Sequence, residues 1–201
     1  RYYRTVRLGL QIALRHRPDD VGRLPTVSTG AAGILIFGSA WGMCGRFNEQ
    51  LAEYVHDRLD EQSLAPRRIV ALGENITGPL EVVGRTADSQ FDGPESVDGI
   101  TAHVKTLLVL LEEWRTDQAI DRVLLFYNES TSGAGYGPQV QHLLPLDAAW
   151  LDQLEAEAWP TRMLPTFRME WEGLFAALIR QYLFVSLYRA FAESMASEHS
   201  S

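Results

Sequence analysis

Cys44 is the only cysteine in 201 residues, and it stands where a thiol can be activated, in a glycine-rich segment that opens a helix. A helix start favours the thiolate and lowers a thiol pKa. Nucleophilic catalysis also needs a base within reach. The five histidines, His16, His56, His103, His142 and His199, share no recognisable spacing with Cys44 or with an acid. Cys44 is therefore read as a small, inert thiol.

The glycines around it suggest phosphate chemistry. Gly38, Gly42 and Gly45 follow the apolar run Ile34 to Phe37 and precede a helical pattern, the setting in which backbone amides hold a pyrophosphate. The spacing Gly38-x-x-x-Gly42-x-x-Gly45 is not G-x-G-x-x-G, and Glu74 is the one weak candidate for a ribose contact after the second strand. Lys105 is the only lysine among 18 Lys and Arg, and no G-x-x-x-x-G-K-[ST] surrounds it, which excludes ATP hydrolysis through a P-loop. Gly133-x-Gly-x-Gly137 opens no helix and reads as turn chemistry. His103, beside the apolar stripe of its helix, and His142, on one strand face with Val140 and Leu144, read as structural. Asp19-Asp20, Glu112-Glu113 and the group Asp152, Glu155 and Glu157 read as solvated faces. The expectation is no catalytic residue, no cofactor and no metal.

Composition narrows the partners. A net charge of -8 argues against nucleic acid, because phosphate binding draws on clustered Lys and Arg. The single cysteine excludes an internal disulfide and a cysteine zinc cluster. No uninterrupted apolar run reaches about 18 residues, so no membrane span and no insertion by this chain are expected. The chain starts at Arg1 and stops at Ser201 inside a pattern that still reads as helix; the expectation is the globular part of something longer.

The loop needs elements to hold it. Ile34 to Phe37 is apolar without alternation, the mark of a strand covered on both faces. Phe47, Leu51, Val55 and Leu59 recur at helical spacing after it. Arg67 to Gly73 predicts a second strand and Leu80 to Arg85 a weaker third. Glu95 to Trp114 predicts a helix with Val97, Ile100, Val104, Leu107, Leu108 and Leu111 on its core side. Val123 to Tyr127 predicts a further buried strand, joined by a short Ser/Thr/Gly-rich link to Val140 to Leu146. Alternating strands and helices give a largely parallel sheet, and the short link makes the final strand antiparallel, at or near the edge. A short acidic helix is expected around Trp150 to Glu157.

The ends read as helices. Tyr3, Val6, Leu10 and Ala13 form a stripe before Pro18, with Arg1, Arg4, Arg7, Arg15 and Arg17 as a solvated basic face. From Trp171 onward Leu174, Leu178, Tyr182, Val185, Ala192 and Met195 have the spacing of a helix that packs along another.

Four segments, in order, resemble the gamma subunit of F-type ATP synthases. They are Ile34-Leu-Ile-Phe-Gly-Ser with Gly42-Met-Cys-Gly-Arg-Phe-Asn48, then Tyr127-Asn128, then Gln141-His-Leu-Leu-Pro-Leu146, and last Leu187-Tyr-Arg-Ala-Phe-Ala-Glu-Ser-Met-Ala-Ser-Glu198. The resemblance implies a Rossmann-like domain, residues 18–170, between the end of an N-terminal shaft helix, residues 1–17, and the start of a C-terminal one, residues 171–201. The two helices would form an antiparallel coiled coil, with Tyr3, Val6, Leu10, Leu174, Leu178, Tyr182 and Val185 as packing positions. It also implies a rotor without a catalytic site of its own, coupling proton or sodium flow to ATP synthesis or hydrolysis at the cytoplasmic face of the plasma membrane. Its partners would be the alpha and beta subunits, an epsilon-like subunit and the membrane c-ring. Gly42, Met43, Cys44, Gly45, Arg46 and Asn48 are then candidate contacts with the catalytic head. Ala40-Trp41 in place of a charged pair, Arg46 in place of glycine, and Trp159-Pro-Thr-Arg-Met-Leu-Pro165 resemble the divergent alternative group of these ATPases. The competing readings are a free-standing Rossmann-like nucleotide-binding protein or enzyme, and an unrelated interaction adaptor.

Overall fold

A computed structural model describes residues 2–22, 30–42, 44–131 and 135–199. Arg1, Met43 and Gly133 lie outside the described residues. The elements are α1 (Tyr2–Arg15), β1 (Ala31–Phe37), α2 (Phe47–Glu61), β2 (Arg68–Leu72), α3 (Thr77–Val82), β3 (Ser89–Phe91), α4 (Ile100–Asp117), β4 (Ile120–Ser130), β5 (Tyr136–Leu144), α5 (Ala148–Ala156) and α6 (Trp171–Glu198). One sheet runs in the order β3-β2-β1-β4-β5, parallel except for the antiparallel β4-β5 pair at its edge.

The absence of alternation in β1 and β4 has the expected cause, a helix layer on each face. Ile34, Ile36, Leu124 and Phe126 point to the side where Leu51, Val55 and Leu59 of α2 and Leu80 of α3 pack. Leu35, Phe37, Val123, Leu125 and Tyr127 point to the other side, against α4 and the second half of α6. Phe37 and Phe191 stack there with ring centroids 3.9 Å apart.

Three expectations from local pattern fail. Leu80 to Arg85 is not a strand: α3 occupies Thr77–Val82 and the third strand is Ser89–Phe91. Pro79 falls in the first helical turn, where its missing N–H costs nothing, and of the apolar run Leu80 buries while Val82 stays 87% exposed. The helix predicted from Glu95 starts later, because Ser96 is extended and a single 3₁₀ turn precedes Ile100; Val97 consequently faces solvent. His142 shares a face with Val140, opposite Leu124 and Phe126, but not with Leu144. The β4-β5 register shifts between Val123 and Leu124, and an extra residue at such a bulge sends the two ends of a strand to different faces. Val140 packs with the α2 layer and Leu144 with the α4 layer, while His142 is exposed.

The long helix changes neighbours along its length. Phe175, Leu178, Ile179, Tyr182 and Val185 pack against Val6, Leu10 and Leu14 of α1 and Leu151 and Leu154 of α5. Leu187, Ala190, Phe191 and Met195 then pack on α4 and the sheet. The two contacts lie on different sides, so α6 is apolar around much of its circumference. Its most apolar 18 residues reach a mean hydropathy of 1.2, long and apolar enough to cross a membrane by length and composition. Arg180 interrupts the run, and the apolar residues on either side of it pack against α1, α5, α4 and the sheet.

The basic face of α1 is also only partly solvated. Arg7 pairs with Glu157, Gln11 Nε2 donates to the Glu157 carbonyl at 2.7 Å, and Arg15 Nε donates to the Glu155 carbonyl at 3.0 Å. Gln11 and Arg15 thereby satisfy carbonyls that the end of α5 leaves open, while Arg7 pairs with the Glu157 carboxylate.

Candidate functional site

The loop after β1 is built by hydrogen bonds from distant elements. Gly38 N donates to the Leu72 carbonyl at 2.8 Å, which carries the chain off the sheet beside β2. Ser39 is fully buried. Its N–H donates to Asn48 Oδ1 at 3.0 Å, and Asn48 Nδ2 donates back to Ser39 Oγ at 2.8 Å. Ser39 Oγ in turn donates to the Trp41 carbonyl at 2.9 Å, which Asn75 Nδ2 also reaches at 3.0 Å. Gly45, at φ +55°, adopts the left-handed conformation that glycine takes without strain. That turn brings Phe47 N onto the Cys44 carbonyl at 3.1 Å and starts α2.

The last turns of α6 complete the loop. Ser194, Ser197 and Glu198 share one face of the helix, as i, i+3 and i+4 residues do. Ser194 Oγ donates to the Phe37 carbonyl at 3.4 Å, and Ser197 Oγ to the Asn128 carbonyl at 3.4 Å. Glu198 Oε1 accepts from Trp41 N at 2.6 Å and lies 3.7 Å from Cys44 Sγ, while Oε2 accepts from Ala40 N at 3.4 Å. Asn128, fully buried at the end of β4, donates Nδ2 to the Phe47 carbonyl at 3.1 Å. Thus the ends of β1, β4 and α6 and the start of α2 meet at one place.

Of the six residues predicted to form a contact surface, the five described take two roles. Gly42, Gly45 and Arg46 are exposed, and Trp41 beside them is 53% exposed. Cys44 and Asn48 are buried and hold the loop from inside. Met43 lies outside the described residues. Cys44 Sγ donates to the Trp41 carbonyl at 3.1 Å. Arg46 reaches Glu53 Oε1 at 3.3 Å, with both side chains more than half exposed. Tyr136 lies over Phe47 with centroids 5.1 Å apart; burial, then the nearby Cys44 and Glu49, raise its phenol above the ordinary value.

Of the predicted helix-packing positions, Val6 and Leu10 are buried, and Leu178, Tyr182 and Val185 pack against them. Tyr3 meets Tyr182 with centroids 6.4 Å apart. Leu174 is half-buried, and its neighbour Phe175 takes the inner place, stacked on Trp171 at 4.8 Å. Gly9 lets α1 lie close against α6: a Cβ there would sit 2.6 Å from Leu178 Cδ2. A cleft of about 590 Å³ lies elsewhere, between α4, α6 and the turn after β5, with Leu111, Ile179 and Leu183 in its walls and Arg115 paired with Glu112 beside it.

Sequence reasoning missed Ser39, Asn75, Ser194, Ser197 and Glu198. For the last three a signal was present: polar residues at positions 194, 197 and 198 fall on one face of the last turns of a largely apolar helix.

The arrangement defines a Rossmann-like α/β domain carried between two terminal helices, with the longer helix hydrogen-bonded to the loop that leaves the central strand. The chain belongs to the ATP synthase family, whose model matches residues 1–201. It is 29% identical to the ATP synthase gamma chain of Leptothrix cholodnii over 178 residues, 86% of this chain and 59% of that one. It is 31% identical to the gamma chain of Variovorax paradoxus over 176 residues, 85% of this chain and 58% of that one. The chain therefore spans about three fifths of the length of these curated relatives. Its fold is similar to a chain of the central stalk and c-ring structure of the Tetrahymena thermophila mitochondrial ATP synthase, with a TM-score of 0.62 at 17% identity, covering 100% of this chain and 96% of that one. A rotor chain of the Euglena gracilis mitochondrial enzyme matches at TM-score 0.59 and 14% identity, covering 98% of this chain and 76% of that one.

Proposed function

We propose that this chain is the globular part of a central rotor subunit of an F-type ATP synthase. Residues 1–17 and 171–201 belong to its shaft and residues 18–170 to the domain mounted on it. The observation that carries this reading is the continuity of α6, a helix of 28 residues that packs along α1 at one end and is hydrogen-bonded to the β1 loop at the other. Such a helix and loop turn as one body, which is what torque transmission requires. The kinship with gamma chains supports the same assignment.

In this reading the nucleotide sites belong to the alpha and beta subunits, and the chain couples ion flow through the membrane c-ring to ATP synthesis or hydrolysis in the head. It is a peripheral part of the F1 sector on the cytoplasmic face, and an epsilon-like subunit binds its foot. The outer surface of the loop, with Gly42, Gly45 and Arg46, faces the head. Arg46 is exposed enough to exchange its Glu53 partner for a carboxylate on a passing subunit, and exposed pairs of this kind are weak, about 0–1 kcal/mol.

The test is Arg46→Glu in the full-length chain assembled with its alpha and beta subunits. A changed ATPase rate or salt dependence is the expected result, and an unchanged rate with unchanged salt dependence removes the loop from the head contact. Calorimetry with ATP, ADP and NAD addresses the nucleotide-binding alternative, which requires tight binding to this chain alone.

A further inference from the structure

The loop that follows β1 does not hold its shape by its own turn alone. The Trp41 N–H, on an otherwise exposed residue, is donated inward to a carboxylate 157 positions away in sequence. That carboxylate, on Glu198, is 8% exposed. A buried carboxylate is costly unless its oxygens are satisfied, and backbone N–H donors to an ionised acceptor make the stronger class of hydrogen bond. Both Glu198 oxygens have such donors, Trp41 N at 2.6 Å and Ala40 N at 3.4 Å, and Oε1 also covers Cys44 Sγ at 3.7 Å. Ser194 and Ser197 meanwhile tie the same helix face to the ends of β1 and β4, so rotation of α6 at this end cannot leave the loop behind.

We propose that Glu198 is a positioning residue: through Ala40, Trp41 and Cys44 it fixes the loop after β1 to the end of α6 and keeps Cys44 closed. Its part in rotation rests on the rotor reading above, whereas its hold on the loop does not. The carboxylate acts through the two amides, and the residue that touches a partner is Trp41, Gly42, Gly45 or Arg46.

Cys44 provides the readout. In the full-length chain, Glu198→Ala raises the rate of native-state alkylation of Cys44 by iodoacetamide about tenfold, measured on the Cys44 peptide by mass spectrometry, in keeping with the loss of hydrogen bonds to a charged acceptor. Amide exchange at Trp41 accelerates with it, while the amides of Ile34 to Phe37 keep their parent rates. Glu198→Gln, which retains an acceptor oxygen at the same reach, stays within about threefold of the parent. Arg189→Ala, at a side chain of the same helix that is 68% exposed, leaves Cys44 within about twofold. If Glu198→Ala does not fold, Glu198→Asp, one methylene shorter, carries the same comparison. Alkylation of the Ala or Asp variant at the parent rate overturns the proposal. So does an equal rise in exchange across β1, or a Gln variant as reactive as the Ala variant. In the assembled complex Glu198→Ala lowers ATP turnover severalfold. Failure of the parent chain to assemble with alpha and beta subunits sinks the rotor reading and leaves the alkylation result standing, whereas parent turnover in an assembled Glu198→Ala complex with an exposed Cys44 removes the link to rotation.

Discussion

Asn48→Ala is the most incisive perturbation of the loop that leaves α6 untouched. Asn48 is 8% exposed and its amide group makes two bonds to Ser39, which is fully buried. Removing it leaves the Ser39 N–H without an acceptor in a place water does not reach, a loss of about 1–3 kcal/mol, and removes the Nδ2 donor to Ser39 Oγ, about 1 kcal/mol more. The expected destabilisation is about 2–4 kcal/mol. Ser39→Ala is milder, about 1–2 kcal/mol, because the Trp41 carbonyl keeps its donors from Asn75 and Cys44. The Asn48 Nδ2 to Ser39 Oγ bond is then counted in both single variants, so the double variant falls short of their sum by about 1 kcal/mol. Urea unfolding followed by circular dichroism measures all three against the parent, with equal slopes required before midpoints are compared. An Asn48→Ala variant within about 0.5 kcal/mol of the parent refutes the reasoning, since a desolvated, orphaned N–H cannot be that cheap.

Phe191→Ala removes a side chain 2% exposed and stacked on Phe37; a loss of about 3–5 kcal/mol is expected in the same unfolding assay, and one below about 1 kcal/mol contradicts the packing of α6 on the sheet. Trp171→Phe deletes the Nε1 donor to the Ala13 carbonyl at 2.7 Å, a buried link between α6 and α1; about 1 kcal/mol is expected, with no change in Cys44 reactivity. Burial, with Tyr3 adding to it, raises the Tyr182 phenol above its ordinary value. The folded chain therefore favours neutral Tyr182: this contribution is fully present below about pH 10 and is lost as the pH rises through the folded value. Tyr182→Phe should flatten stability against pH in that alkaline range, and an unchanged slope counts against the buried hydroxyl.

Much of the layer architecture was legible in local pattern. The unalternating runs Ile34 to Phe37 and Val123 to Tyr127 could belong only to strands covered on both faces, and the short link after Ser130 required an antiparallel partner. Pattern failed where one residue shifts the outcome. Leu80, Val82 and Val83 look the same in a strand or a short helix, and Pro79 in the first turn tipped them to α3. The β4-β5 register shift separated Val140 from Leu144, which no spacing rule could anticipate.

The loop divides along the same line. Residues near one another in the chain suffice to show that a strand ends at Phe37, that glycines follow, that Cys44 has no catalytic spacing to a histidine, and that the motifs resemble one family. That Cys44 and Asn48 point inward while Gly42, Gly45 and Arg46 point out, and that Glu198 closes the loop, emerges only from the folded chain. The physical reason is range. Backbone propensity and periodicity act over a few residues, whereas the Trp41 N–H finds its acceptor 157 positions away, once the sheet and α6 have brought both into a place too dry to leave either unsatisfied.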